Sequence, residues 1–161
     1  MTCKNCKLKP VINLPNSNVY LCSSCFNQYF EKNVFKTIKQ YKLIDKEERI
    51  AVAVSGGKDS LSVLYVLSKL TEQNKKVKLL PILIDEGIAD YRNKTLKDAQ
   101  KLCKKLKLKL TIISYKKEFG YTLDQMLKLS KYKPCSLCGV LRRYLLNKYS
   151  RKLKATKLAT G

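Results

Sequence analysis

The chain has 161 residues, 45% of them apolar, with 34 Lys and Arg against 12 Asp and Glu, neither His nor Trp, and a formal charge of +22. That length buries one real core, about 70% of the unfolded surface, with room for a small appendage but not for a second large domain. The composition excludes a disordered tail, the short apolar runs at residues 50–54 and 79–84 exclude a membrane-spanning helix, and the lack of His removes Ser-His-Asp, Cys-His and His-metal chemistry.

The first ten residues are polar and Cys-bearing rather than a secretory signal, so the expected location is cytoplasmic. Seven Cys in such a chain point to metal or redox chemistry, not to a disulfide scaffold. Cys3 and Cys6 form one C-x-x-C, Cys22 and Cys25 a second, and the 15 residues between them carry the Pro, Asn and Ser of a short hairpin. Four thiolates in two knuckles suit a tetrahedral Zn²⁺ site, and a segment this small needs the metal to hold itself. The spacing alone also admits a [4Fe–4S] centre. Residues 1–27 are therefore read as a zinc ribbon. A connector helix over 28–48 follows, within a periodic stretch marked by Phe26, Tyr29, Phe30, Val34, Ile38 and Tyr41.

From residue 49 the pattern alternates. Residues 49–54 and 77–84 are apolar, β-branched runs suited to buried parallel strands, with Pro81 an objection to the second. Residues 109–113 give a third strand and 157–160 the start of a fourth. Helical periodicity fills 61–70, 95–106, 123–129 and 140–149. Such alternation predicts an α/β fold with a parallel, doubly wound sheet. Cys103 falls on the apolar face of the second of these helices and reads as an inert core thiol.

Directly after the first strand comes Ser55-Gly56-Gly57-Lys58-Asp59-Ser60, opening a helix. Two glycines let backbone N–H groups close on an anion, and the helix N-terminus adds partial positive charge. Lys58 supplies a full charge, Ser55 and Ser60 can donate to phosphate oxygens, and Asp59 can cap the helix or help hold a metal. The spacing differs from the G-x-x-x-x-G-K-[ST] loop of ordinary nucleotide hydrolases. A nucleotide here would sit at the carboxyl ends of the strands, where Asp85 and Glu86 also lie.

The last 61 residues hold 17 basic and 2 acidic groups, which is +15 of the +22. A Lys-rich solvated surface accounts for such a run; its concentration in one segment favours a polyanionic partner, without choosing RNA over DNA. Within this segment Cys135 and Cys138 form a third C-x-x-C, flanked by Lys131, Lys133, Arg142 and Arg143. Thiols in so cationic a setting are expected to be reactive, as a redox disulfide, a persulfide, or ligands of a cluster completed from elsewhere.

The S-G-G-K-D-S loop after a first parallel strand resembles the PP-loop of N-type ATP pyrophosphatases. Paired N-terminal knuckles followed by Pro134-Cys135-Ser136-Leu137-Cys138-Gly139-Val140-Leu141-Arg142-Arg143 resemble the tRNA 2-thiolation enzymes of that superfamily, in the archaeal, thermophile and eukaryotic-cytosolic branch that makes 2-thiouridine. The resemblance covers essentially the whole chain. It implies that Ser55 to Ser60, with Asp85 and Gly161, bind ATP and Mg²⁺, and that the C2 oxygen of a tRNA pyrimidine attacks the α-phosphate. A sulfur nucleophile then displaces AMP. It implies that Cys135 and Cys138 are two of three ligands of a [4Fe–4S] cluster, or persulfide carriers, with Lys58 catalytic and Arg142 and Arg143 on RNA.

The family pattern continues beyond Ala159-Thr160-Gly161 into an H-N-x-x-D-D stretch, a third catalytic cysteine and a C-terminal zinc knuckle. The expectation is therefore an N-terminal portion with an incomplete sheet, inactive alone and completed by a second chain. A ubiquitin-like sulfur carrier and a homodimer are further expected partners, besides tRNA. Two other readings are a basic zinc-ribbon subunit that binds tRNA without chemistry, against which the loop and the Cys pair count, and an AMP-forming amidotransferase, which leaves the second signature unexplained.

Overall fold

The computed structural model describes residues 1–88, 92–129 and 131–161, without the side chains of residues 73, 92 and 93. It divides into two compact units, Met1–Asp45 and Lys46–Gly161.

In the first unit, β1 (Ile12–Leu14) and β2 (Val19–Leu21) pair antiparallel, Ile12 opposite Leu21, around a turn in which Asn18 takes a positive φ. Helix α1 (Ser23–Gln40) follows immediately, with Cys22 at its N-cap. It starts ahead of the apolar periodicity read from the sequence, because the second knuckle itself forms its first turn. Leu21 and three of the four N-terminal cysteines are the buried centre, ringed by Ile12, Leu14, Val19 and Phe26. A core so small holds little without a cross-link.

The second unit is a four-stranded sheet of β3 (Arg49–Ala53), β4 (Lys78–Asp85), β5 (Thr111–Ser114) and β6 (Lys157–Ala159), in the order β5-β4-β3-β6. Every pairing is parallel. The strands are linked through α2 (Lys58–Gln73), α3 (Arg92–Lys105), α4 (Tyr115–Phe119), α5 (Leu123–Leu129) and α6 (Pro134–Lys152). Ala51, Ile82, Ile84 and Ile113 turn one face of the sheet toward Tyr115, Leu123, Leu145 and Leu146 of α4 to α6. Alternate residues point to the other face, where α2 contacts β3 and β4 and α3 contacts β4. The sheet is thus doubly wound.

Pro81 is fully buried in an interior strand. Lys78 donates to the Glu48 carbonyl and the Ile82 carbonyl accepts from Val54, so even-numbered residues of β4 face β3 and Pro81 faces β5. The β4–β5 ladder begins only at Ile82, opposite Thr111. The missing N–H of Pro81 therefore falls where no ladder partner is needed.

Helix α6 is tied down at its far end by Arg49, whose guanidinium donates to the carbonyls of Leu153 (2.9 Å) and Lys154 (3.1 Å). These are carbonyls that a helix C-terminus leaves without partners. Buried Glu48 holds the approach to β6, pairing with Lys157 at 2.7 Å and accepting from Thr156 at 3.2 Å. Among the described residues no helix is long and apolar enough to cross a membrane.

Candidate functional site

The loop after β3 is knitted by its own hydroxyls. The Ser55 N–H donates to Ser60 Oγ (3.1 Å), Ser60 Oγ donates to the Gly57 carbonyl (3.1 Å), and Gly57 N–H donates to Ser55 Oγ (3.3 Å). The two hydroxyl oxygens are 3.0 Å apart. Ser55 and Ser60, expected to reach phosphate, thus also fix the loop's shape. Gly57 is the N-cap of α2 and provides no side-chain cap, and Leu61 N–H bonds back to the Gly57 carbonyl at 3.1 Å. The N–H groups ahead of Leu61 in the first turn are those a helix start offers to an anion. Lys58 and Asp59 are exposed on the same turn.

Gly56 has φ +85°, and a Cβ there would lie 2.1 Å from the Thr95 carbonyl oxygen on α3. Only glycine lets the loop pass so close. A Cβ on Gly161, just beyond β6, would lie 2.9 Å from the Asp59 carbonyl group. The end of β6 therefore lies directly on the start of α2.

Between these segments lies a cavity of about 250 Å³. It is lined by Ser55 and Ser60 of the loop, Thr160 and Gly161 past β6, Glu86 past β4, and Arg142 and Arg143 of α6. This is the carboxyl edge of the sheet where the strand order reverses, the usual place for a ligand in a doubly wound fold. The volume is just under the roughly 300–1,000 Å³ of ligand pockets, enough for part of a nucleotide.

Glu86, and not Asp85, lines this cavity. Successive strand residues point to opposite sides: Asp85 accepts from the Gly87 N–H at 3.0 Å, while Glu86, only 4% exposed, faces the Arg142 guanidinium at 4.0 Å. The sequence located both acids at this edge, and strand alternation was the one signal able to separate them.

The third C-x-x-C sits on the first turn of α6, which begins at Pro134 rather than near residue 140. Proline at N1 lacks only a donor that is unpaired there anyway. Cys135 and Cys138 are thus one turn apart on one face, Cys135 exposed and Cys138 half-buried. Arg142 follows Cys138 by four residues and Leu146 follows Arg142 by four, so one helical stripe runs from the thiols into the cavity wall. Gly139 makes room for Arg143, whose guanidinium nitrogens would lie 3.4 Å from a Cβ there. Below the turn, fully buried Tyr115 donates its hydroxyl to the Cys138 carbonyl at 3.0 Å. Burial, foremost, holds that phenol well above its ordinary range.

In the first unit, the thiol sulfurs of Cys3, Cys6, Cys22 and Cys25 all lie within 4.8 Å of one another. Cys6 is 3.4 Å from Cys22 and 3.6 Å from Cys25. A tetrahedral Zn²⁺ with ~2.3 Å bonds needs sulfurs about 3.8 Å apart, so the set fits that ion. The first knuckle turns through Lys7, at φ 62°, with its N–H on the Cys3 carbonyl. Crowding separates the thiols: hydrogen bonds from Ser24 and from the Cys25 backbone lower Cys22 to about 6, and its sulfur neighbours Cys22 and Cys6 raise Cys25 to about 12. Cys103, buried in α3, is raised by desolvation, as a core thiol should be.

The chain is similar to proteins named as sulfurtransferases and as a tRNA thiolase. It is 42% identical over 151 residues to a probable sulfurtransferase of Methanocaldococcus jannaschii, covering 90% of this chain and 44% of that protein. It is 39% identical over 161 residues to the tRNA-5-methyluridine(54) 2-sulfurtransferase of Pyrococcus horikoshii, covering all of this chain and 50% of that one. The U34-tRNA thiolase NcsA of Methanococcus maripaludis, solved with its [4Fe–4S] cluster, superimposes with a TM-score of 0.86 at 33% identity, over 100% of this chain and 54% of that one. The chain spans about half the length of the relatives it matches. The family model for the PP-loop domain matches residues 26–133. With its glycine loop between β3 and α2, at the edge of a doubly wound sheet, the chain belongs to the PP-loop domain family.

Proposed function

We propose that this chain carries the nucleotide- and cysteine-bearing part of an ATP-dependent tRNA 2-thiolation. The observation that carries the reading is the stripe of α6 that leads from Cys135 and Cys138 to Arg142, in the wall of the cavity that the phosphate loop closes from the other side. The names of the relatives, sulfurtransferases and a tRNA thiolase, support it.

In this reading the first-turn N–H groups of α2 and Lys58 hold the ATP phosphates, and Asp59 would help hold Mg²⁺. Arg142 and Arg143 offset charge on the phosphate or on RNA, and Gly161 lets the end of β6 close against the start of α2 beside the nucleotide. The C2 carbonyl oxygen of the pyrimidine bonds to the α-phosphorus and pyrophosphate leaves. Sulfur then bonds to C2, and the oxygen departs with AMP. A [4Fe–4S] cluster, held by Cys135 and Cys138 with a third thiolate from outside these 161 residues, would supply a binding place for sulfide. The knuckle thiols would hold Zn²⁺ as a structural ion. The further partners in this reading are a second polypeptide, a ubiquitin-like sulfur carrier and a second copy of the chain, all in the cytoplasm.

The test is anaerobic incubation of tRNA with the chain, ATP, Mg²⁺ and sulfide, alone and with any co-purifying polypeptide, followed by mass spectrometry of the nucleosides. 2-Thiouridine and AMP that vanish with Lys58→Ala and with Cys138→Ala are expected. RNA binding indifferent to Lys58→Ala, with no AMP in any sample, would leave a binding subunit instead.

A further inference from the structure

Beyond the cavity wall, α6 continues along the surface, and nothing assigned above uses that part of it. The helix carries Arg142, Arg143, Lys148, Arg151 and Lys152 and not one acidic residue from Pro134 to Lys152. Val140 (59% exposed), Tyr144 (53%), Asn147, Lys148 and Arg151 recur at helical spacing on its outer face. Tyr144, Asn147, Lys148 and Arg151 border an open depression of about 480 Å³. Tyr144 leans on Phe119 with ring centroids 6.3 Å apart, and the Lys148 ammonium stands 6.0 Å from the Tyr144 ring centre. Lys152 lies 5.4 Å from the ring centre of Tyr149.

The charge of this face is cancelled locally only at Lys148. The acid of α4 that approaches it, Glu118, is taken up by Lys148 (2.7 Å) and by the Tyr149 hydroxyl (2.5 Å). Arg143, Arg151 and Lys152 are exposed. An exposed aromatic ring edged with cations is a platform for a nucleobase with its phosphates alongside. An acidic protein would match the charge alone, whereas a base stack also accounts for the exposed ring among cations, and one tyrosine is a poor apolar anchor for a membrane surface.

We infer that the outer face of α6, from Tyr144 to Arg151, is the track along which the RNA strand lies, with Tyr144 stacking a base next to the one that reacts. The inference rests on the tRNA reading and adds where the RNA runs. From Cys138 to Arg151 the helix covers about 20 Å, so one rigid element joins the thiols to the RNA-binding stripe.

The test measures the affinity of unmodified tRNA transcript for the full chain by anisotropy, across a salt series. Tyr144→Ala should weaken binding about fivefold or more, and Tyr144→Phe should leave it nearly intact. Arg151→Ala should lower the slope of log K against log salt by about 1. The double variant Asn147→Glu, Arg151→Glu should lose about tenfold or more. None of these residues lines the nucleotide cavity, so ATP affinity should be unchanged in every variant, which also reports an intact fold. If the unaltered chain binds tRNA and all the variants bind equally well, the track is overturned and the thiolation reading stands. If the unaltered chain binds anionic vesicles but no tRNA, both fall.

Discussion

The Tyr115 hydroxyl, at the start of α4, donates to the backbone carbonyl of Cys138 at 3.0 Å, so the turn bearing the third cysteine pair is pinned from beneath by the strand end that precedes it. The ring is fully buried against Phe119 in an edge-on contact, centroids 5.4 Å apart, so the hydroxyl has little freedom to point elsewhere.

Removing that one oxygen tests the pin. Tyr115→Phe keeps the packing and deletes a buried hydrogen bond worth about 1 kcal/mol, or about 2–4 °C in Tm for a chain of this size. Nucleotide affinity should hold, while in the proposed thiolation, assayed with any completing polypeptide, sulfur transfer falls on the order of tenfold as the cysteine turn loosens. Equal loss in both measurements would mean that the hydroxyl supports the fold and not the turn.

Two glycines with nearly the same backbone angle separate strain from contact. Gly56 and Gly120 have φ of +85° and +82°, but a Cβ meets the Thr95 carbonyl at 2.1 Å at the first and nothing within 4 Å at the second. Gly120→Ala should cost only the left-handed penalty of about 1–2 kcal/mol. Gly56→Ala must in addition push α3 off the loop, so it should abolish nucleotide binding in a titration and lower Tm clearly further. Matching melting curves for the two variants would contradict the close approach.

Removal of the proposed Zn²⁺ should act on the first unit alone. Its core is a few apolar side chains around four sulfurs, whereas a structural Zn²⁺ contributes about 10 kcal/mol or more of folding free energy. A strong chelator should release one Zn²⁺ per chain and open residues 1–25 to protease, with residues 46–161 still protected. A digestion pattern unchanged by the chelator would show that the knuckles do not depend on the ion.

The Glu118–Lys148–Tyr149 cluster predicts one limb of the pH profile. Hydrogen bonds from Lys148 first and Tyr149 second hold Glu118 below its ordinary 4.5. A depressed carboxylate stabilises the fold at pH values above 4.5, and that contribution is lost as the pH falls through the lower folded value. Glu118→Gln should therefore flatten the decline of Tm between pH 5 and acid. Parallel curves for the two proteins would remove the cluster from the acid limb.

The sequence by itself determined the local pieces. Four cysteines in two knuckles, apolar runs separated by helical periods, and a glycine pair between strand and helix depend on neighbours within a few residues, and the resemblance to the PP-loop superfamily rested on them. Helix starts were less legible: the sequence places helices from residues 28 and 140, yet they begin at Ser23 and Pro134, the second because proline at N1 lacks only a donor that is unpaired there anyway.

Tertiary structure decided everything that depends on which distant segments meet. The strand order puts the end of β6 on the phosphate loop, so that Gly161 touches Asp59 across 102 residues. The strand's pleat turns Glu86 rather than Asp85 into the cavity. Packing on β4 aims α6 so that one face carries the thiols to the cavity while the basic face stays in solvent. No local pattern encodes these choices, because each is set by long-range burial and by sheet register.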